Sequence, residues 1–87
     1  MVSMTVTLNN KSGLHARPAS LFTKEAAKYQ AAVKVIKDGQ EYNAKSILSV
    51  LSMGAAQGTE LTITAEGEDE EQALKALKEL FDQNFGE

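Results

Sequence analysis

Three residues near the N-terminus offer the chain's clearest chemistry. His15 is the only histidine, Pro18 is the only proline, and Arg17 stands between them in the stretch "KSGLHARPAS", residues 11–20. One imidazole in a chain without cysteine makes a poor metal centre, because a zinc site needs several protein donors. Neither a metal nor a cofactor is therefore expected. A Ser-His-Asp triad is served no better. Serines are plentiful, but none sits in a nucleophile-elbow motif. The triplet does suit acceptance of a phosphoryl group by His15. Proline fixes φ near the helical value and has no N–H to lose, so it belongs in the first turn of a helix. The residue before a proline avoids the α region, which predicts a helix start at or near Pro18, with His15 just outside it. The first amides of a helix have no intrahelical acceptor and carry partial positive charge, so they can receive phosphate oxygens. Ala16 and Arg17 are the candidates for that backbone contribution. Arg17 adds a planar, permanently charged fork, and Gly13 lets the chain turn sharply so that the ring stays exposed. On these residues alone, an exposed loop histidine without a role explains the stretch equally well.

The surrounding elements must position that stretch. Val2, Met4, Val6 and Leu8 alternate with Ser3, Thr5 and Thr7, which predicts a half-buried strand over residues 2–9. Asn9 to Gly13 reads as a loop. From Pro18 to Gln30, Ala19, Phe22, Ala26 and Tyr29 recur at helical spacing. Val33 and Val35 lead into Asp38-Gly39, a pair suited to a type I′ hairpin turn, with residues 40–44 as the return strand. Ile47, Leu48 and Leu51 predict a short helix with Ser46 as N-cap and Gly54 as C-cap, and at least one of the three should enter the core. Residues 54–58, Gly-Ala-Ala-Gln-Gly, read as a flexible link. Leu61, Ile63 and Ala65 alternate with Thr62, Thr64 and Glu66, predicting a further strand. A last helix starts at Asp69, with Gln72 three positions on as in a capping box. Ala73, Leu77, Leu80 and Phe81 mark its inner side, with Asn84 at the fraying end.

The order is β-α-β-β-α-β-α. It predicts an α+β fold: a two-layer, open-faced sandwich whose four-stranded antiparallel sheet carries three helices on one face. The other face, rich in Thr and Lys, should meet water. Residues 1–87 are expected to form one small domain, and a hydrophobic content of 43% supports a modest core without disulfides. The formal net charge is -3, and no concentrated basic stripe marks a nucleic-acid surface. No apolar run approaches the roughly 20 residues of a membrane span, so membrane insertion is not expected. The first residues lack the pattern of a secretory signal, and the expected compartment is the cytoplasm.

The stretch "GLHARPAS" resembles the active-site signature of the histidine-containing phosphocarrier family, HPr, of the bacterial phosphoenolpyruvate:sugar phosphotransferase system. Residues 44–70, "AKSILSVLSMGAAQGTELTITAEGEDE", resemble that family's second signature, around a regulatory serine. The resemblance covers essentially the whole chain. It implies an open-faced sandwich and a phosphoryl carrier rather than an enzyme. His15 would take the phosphoryl group on Nδ1 from phospho-enzyme I and pass it to the IIA domain of a sugar permease. Arg17 and the helix start would stabilise it. By the same resemblance Ser46 would be phosphorylated by a kinase/phosphorylase, and the product would act with a catabolite-control transcription regulator. Ala16, Ser20, Ile47, Leu48, Leu51 and Gly54 would form the docking surface, and the carrier would be a monomer. A histidine at position 15 argues against the family's regulatory-only paralogue, which lacks it. Three other readings stand beside this one. They are a carrier of the nitrogen-related phosphotransferase branch, a regulatory interaction domain acting through Ser46, and a small enzyme with His15 as general base and Arg17 binding an anion.

Overall fold

In the computed structural model, which describes residues 1–86, the alternating N-terminal segment forms strand β1 (Val2–Thr7). Helix α1 (Ala16–Ala27) follows, then strands β2 (Ala32–Lys37) and β3 (Gln40–Asn43), helix α2 (Ile47–Ser52), strand β4 (Glu60–Glu66) and helix α3 (Glu70–Asp82). A short 3-10 turn at Asn84–Gly86 closes the described chain. The sheet order is β1-β4-β2-β3 and every pairing is antiparallel. The hairpin between β2 and β3 turns at Asp38 and Gly39, whose φ values of 53° and 81° are both positive. That is the geometry an Asp-Gly pair favours.

Register explains why one face is apolar and the other polar. Met4 pairs with Ile63, Ile63 with Val35, and Val35 with Tyr42, so one inner row crosses all four strands. The adjacent outer row runs Ser3, Thr64, Lys34, Asn43. Because side chains alternate across a strand, the first row lies under the three helices and the second faces solvent. Ala19, Phe22 and Ala26 of α1 and Ala73, Leu74, Leu77 and Phe81 of α3 are buried over the inner face. Phe22 meets Phe81 edge-on at 5.9 Å between ring centroids, and Phe81 meets Phe85 at 4.9 Å, the arrangement aromatic quadrupoles prefer. Truncating fully buried Phe22 to alanine should cost about 3–5 kcal/mol.

Three local expectations fail, each for a physical reason. None of Ile47, Leu48 and Leu51 is buried; α2 instead places Val50 in the core, with Met53 one turn on. Val50 and Met53 are three residues apart and share one stripe, while the three predicted residues share another. The short helix rests on α1 and β3, so only one stripe goes inward. The capping box at α3 does not form. Asp69 occupies the N-cap position without a side-chain capping bond. Its carboxylate instead accepts the Gln30 and Ala31 amides, both at 2.8 Å. Those turn amides offer a charged acceptor two bonds, a stronger arrangement than one local cap. Finally, α3 stops at Asp82. Asn84 and Phe85 take φ values of 52° and 55°, which reverses the chain and buries Phe85.

Candidate functional site

His15 is carried by a loop that is bonded along its length. Leu8, just past β1, donates its amide to the Thr59 carbonyl at 2.9 Å and accepts the Gly58 amide at 2.7 Å. Asn10 is buried and donates from Nδ2 to the Gly13 carbonyl at 2.7 Å, while the Gly13 amide returns to Asn10 O at 3.1 Å. Leu14 is buried, and its amide donates to Ala55 O at 3.0 Å. Gln57 Nε2 reaches Asn9 O at 3.1 Å. Residues 54–58 are therefore not the flexible link that their small side chains suggested. They form a second wall, with Ala55 buried. Composition could not show this, because the bonds join segments more than forty residues apart in sequence.

Helix α1 begins two residues earlier than the proline rule predicts. His15 itself is the N-cap, with φ −87° and ψ −167°, and its carbonyl accepts the Ala19 amide at 2.9 Å. The preference of a pre-proline residue for extended backbone is a bias, and here burial of Pro18 and Ala19 outweighs it. Pro18 becomes the third helical residue. The first two helical amides, which have no intrahelical acceptor, belong to Ala16 and Arg17, and Pro18 contributes none. His15, Ala16 and Arg17 are all exposed. The His15 side chain makes no capping hydrogen bond, and the first turn of α1 holds no acidic residue. His15, Ala16 and Arg17 thus occupy the N-cap and the first two positions at the positive end of a helix macrodipole, where an anion is favoured.

Ser46 takes its predicted place at the start of α2. Its Oγ accepts the Ser49 amide at 3.3 Å, and its carbonyl accepts the Val50 amide at 3.0 Å. Next to it stand the exposed apolar residues Ile47, Leu48 and Leu51, at 39%, 77% and 37% of full exposure. Gly54 is exposed one residue past the C-cap Met53, with φ 63°. Helix α2 packs against α1, so the Ser46 helix and the His15 helix belong to one side of the molecule. Along α1, exposed Ala16 and half-buried Ser20 lie one turn apart. Leu21 is also exposed, one turn from Arg17. Leu21 falls outside the buried stripe, so helical periodicity does not single it out; its spacing from Arg17 is the available signal.

A hollow of about 470 Å³ opens elsewhere, lined by Gln30, Val33, Lys34, Tyr42 and Lys45 among others, and neither His15 nor Arg17 borders it. Among the described residues, no helix is long and apolar enough to cross a membrane.

Comparison with known proteins agrees with this geometry. The family model described as "PTS HPr component phosphorylation site" matches residues 2–83. The phosphocarrier protein HPr of Treponema pallidum is 41% identical over 87 residues, covering 100% of this chain and 99% of that protein. The HPr-like protein Crh of Bacillus subtilis is 47% identical over 77 residues, covering 88% of this chain and 91% of Crh. A crystal structure of HPr from Thermoanaerobacter tengcongensis superposes with a TM-score of 0.97 at 47% identity, covering 100% of this chain and 98% of that one. The chain belongs to the HPr family: it is a phosphocarrier of the phosphotransferase system and not an enzyme.

Proposed function

We propose that His15 is the phosphoryl acceptor of this carrier. The bond from Nδ1 to phosphorus forms as the bond to the donor, phospho-enzyme I, breaks. The group then leaves for the IIA domain of a sugar permease, and the nitrogen lone pair returns to the ring. The observation that carries this reading is the start of α1. An exposed histidine at the N-cap is followed at once by the two helical amides without intrahelical acceptors, at Ala16 and Arg17. Those amides and the Arg17 guanidinium receive the phosphate oxygens. Solvent competes for each of these contacts, so the phosphoryl group is held moderately, as reversible hand-off requires. Ala16, Ser20, Ile47, Leu48, Leu51 and Gly54 receive the partners, and exposure of the three apolar side chains on α2 supports that assignment. The protein works in the cytoplasm as one domain and a monomer.

Ser46 is the regulatory site in this reading. A phosphate on Oγ adds about −1.5 to −2 charges beside Ile47, Leu48 and Leu51. The start of α2 tolerates that charge, so the fold is kept while an apolar or acidic partner is repelled. The likeness to Crh, described as the catabolite repression HPr of Bacillus subtilis, favours a part in catabolite control.

Incubation with enzyme I and labelled phosphoenolpyruvate tests the carrier. One acid-labile, alkali-stable phosphate per chain is expected, and none on His15→Ala. Label that survives the substitution removes the assignment. With ATP and the cognate kinase, acid-stable label should appear and should be lost in Ser46→Ala; its persistence places the site elsewhere.

A further inference from the structure

The two residues ahead of His15 are held by backbone atoms of the segment that follows α2. A Cβ added to Gly13 would stand 2.5 Å from the Ala55 carbonyl oxygen and 2.9 Å from Ala56 Cα. Neither atom is the tip of a flexible side chain, so neither can swing aside. The same Ala55 oxygen accepts the Leu14 amide at 3.0 Å, and the Leu14 and Ala55 side chains are both buried. On the other flank, the His15 carbonyl is tied to the Ala19 amide, ahead of buried Pro18. The exposed ring therefore projects from a backbone fixed on both sides.

The other glycines show that this contact is more than a turn requirement. Gly13 has φ 67°, and Gly39 has φ 81°. Both occupy the left-handed region that penalises other residues. Open space surrounds the Cβ position of Gly39, whereas that of Gly13 is filled by backbone. A turn alone would need only the first property.

We infer that Gly13 is a positioning residue for phosphoryl transfer: its close contact with Ala55 and Ala56 fixes His15 in register with α2. A partner seated on α2 then meets the acceptor nitrogen at one set place. This rests on His15 being the acceptor. Transfer needs the donor phosphorus in line with Nδ1, and a misplacement of the order of 1 Å can cost up to about a hundredfold in rate. The apolar docking residues Ile47, Leu48 and Leu51 sit on α2, outside that contact. Loss of the contact should therefore lower the maximal rate and leave the KM for the carrier unchanged.

Gly13→Ala and Gly39→Ala form a matched pair, because each forces alanine into positive φ and only one creates a clash. Enzyme I-dependent labelling of Gly13→Ala should show a maximal rate reduced roughly tenfold or more, with KM unchanged. Gly39→Ala should transfer at the wild-type rate, with a smaller fall in melting temperature because its Cβ meets open space. The His15 ring proton resonances should shift in Gly13→Ala and stay in place in Gly39→Ala, a readout that needs no partner. Equal transfer rates for the two variants, or unmoved ring resonances, overturn the inference. If Gly13→Ala does not fold, Ala55→Gly loosens the same contact without adding an atom. It should speed exchange of the Leu14 amide and lower the maximal rate, and a wild-type rate counts against the inference. Failure of the acceptor reading is seen separately, as absence of acid-labile label on the wild-type chain.

Discussion

Helices α1 and α3 each begin at a residue whose side chain makes no capping hydrogen bond, yet the two starts do opposite things. At α3 the positive end is answered from within the chain. Glu70 and Glu71 lie in its first turn, and Glu70 also accepts the Gly67 amide at 3.0 Å. Asp69 turns away to hold the Gln30 and Ala31 amides. The Gln30 amide first, then the Ala31 amide and the charge on Lys45, keep its carboxyl below the usual value of 3.8 against an opposing desolvation effect. At α1 no acidic residue occupies the first turn, and the N-cap residue carries an exposed imidazole. The comparison teaches that the histidine alone does not make a receiving place. In the proposed reading, the lack of acidic residues in the first turn matters as much, because no first-turn carboxylate then competes with an incoming anion. Helix α2 is a third case, capped locally by a hydroxyl that is itself the candidate for modification.

The sharpest way to break this contrast is to give α1 the acid it lacks. Arg17→Glu should slow transfer from enzyme I by more than about tenfold while the melting temperature hardly changes, since Arg17 is exposed. A large drop in melting temperature would make Arg17 structural and erase the distinction. Asp69→Asn tests the other side. It should lower the melting temperature by several degrees, because two amides lose a charged acceptor, and it should leave the transfer rate near wild type. The pH dependence has a definite sign. The folded pKa of Asp69 is depressed, so its contribution is complete above the unfolded value of about 3.9 and disappears as pH falls through the folded value. Wild-type stability should decline more steeply in acid than that of Asp69→Asn. Parallel profiles would mean that the carboxylate does not hold the turn. Ser46→Ala should cost about 1 kcal/mol in urea unfolding through loss of the cap, with Ser46→Asn recovering most of it. Smallest of all, Gln72→Ala should change stability by less than about 0.5 kcal/mol, since Gln72 is exposed and no capping box forms. A larger loss would restore the box.

Features of the fold that depend on near neighbours in sequence were legible, and those that depend on distant ones were not. The inward row of Met4, Ile63 and Val35 follows from alternation within each strand. The hairpin at Asp38 and Gly39 follows from two adjacent residues. The positions of His15, Arg17 and Ser46 at helix starts came from Pro18 and from local spacing. By contrast, Asp69 looks like a cap to any local rule, and its true partners lie 38 and 39 residues away. The choice of Val50 over Leu48 for the core depends on which side α2 turns toward α1. Residues 54–58 look loose because they are small, yet their backbone is met closely by Gly13, which has no Cβ to hold it off. The pattern that carries the last helix to Asn84 gives no sign of the two left-handed residues that return Phe85 to the core.

The strand order carries a kinetic consequence. The sheet neighbour of β1 is β4, so Val2 waits for Ala65 and Thr7 for Glu60, most of the chain length away. The wall that holds the His15 loop, from Ala55 to Thr59, arrives late as well. Pairing across such a separation carries a loop-closure cost before any contact repays it, and topologies of this kind fold more slowly than helical ones. A growing chain will thus have made His15 well before the segment from Ala55 to Thr59 exists to hold it in place.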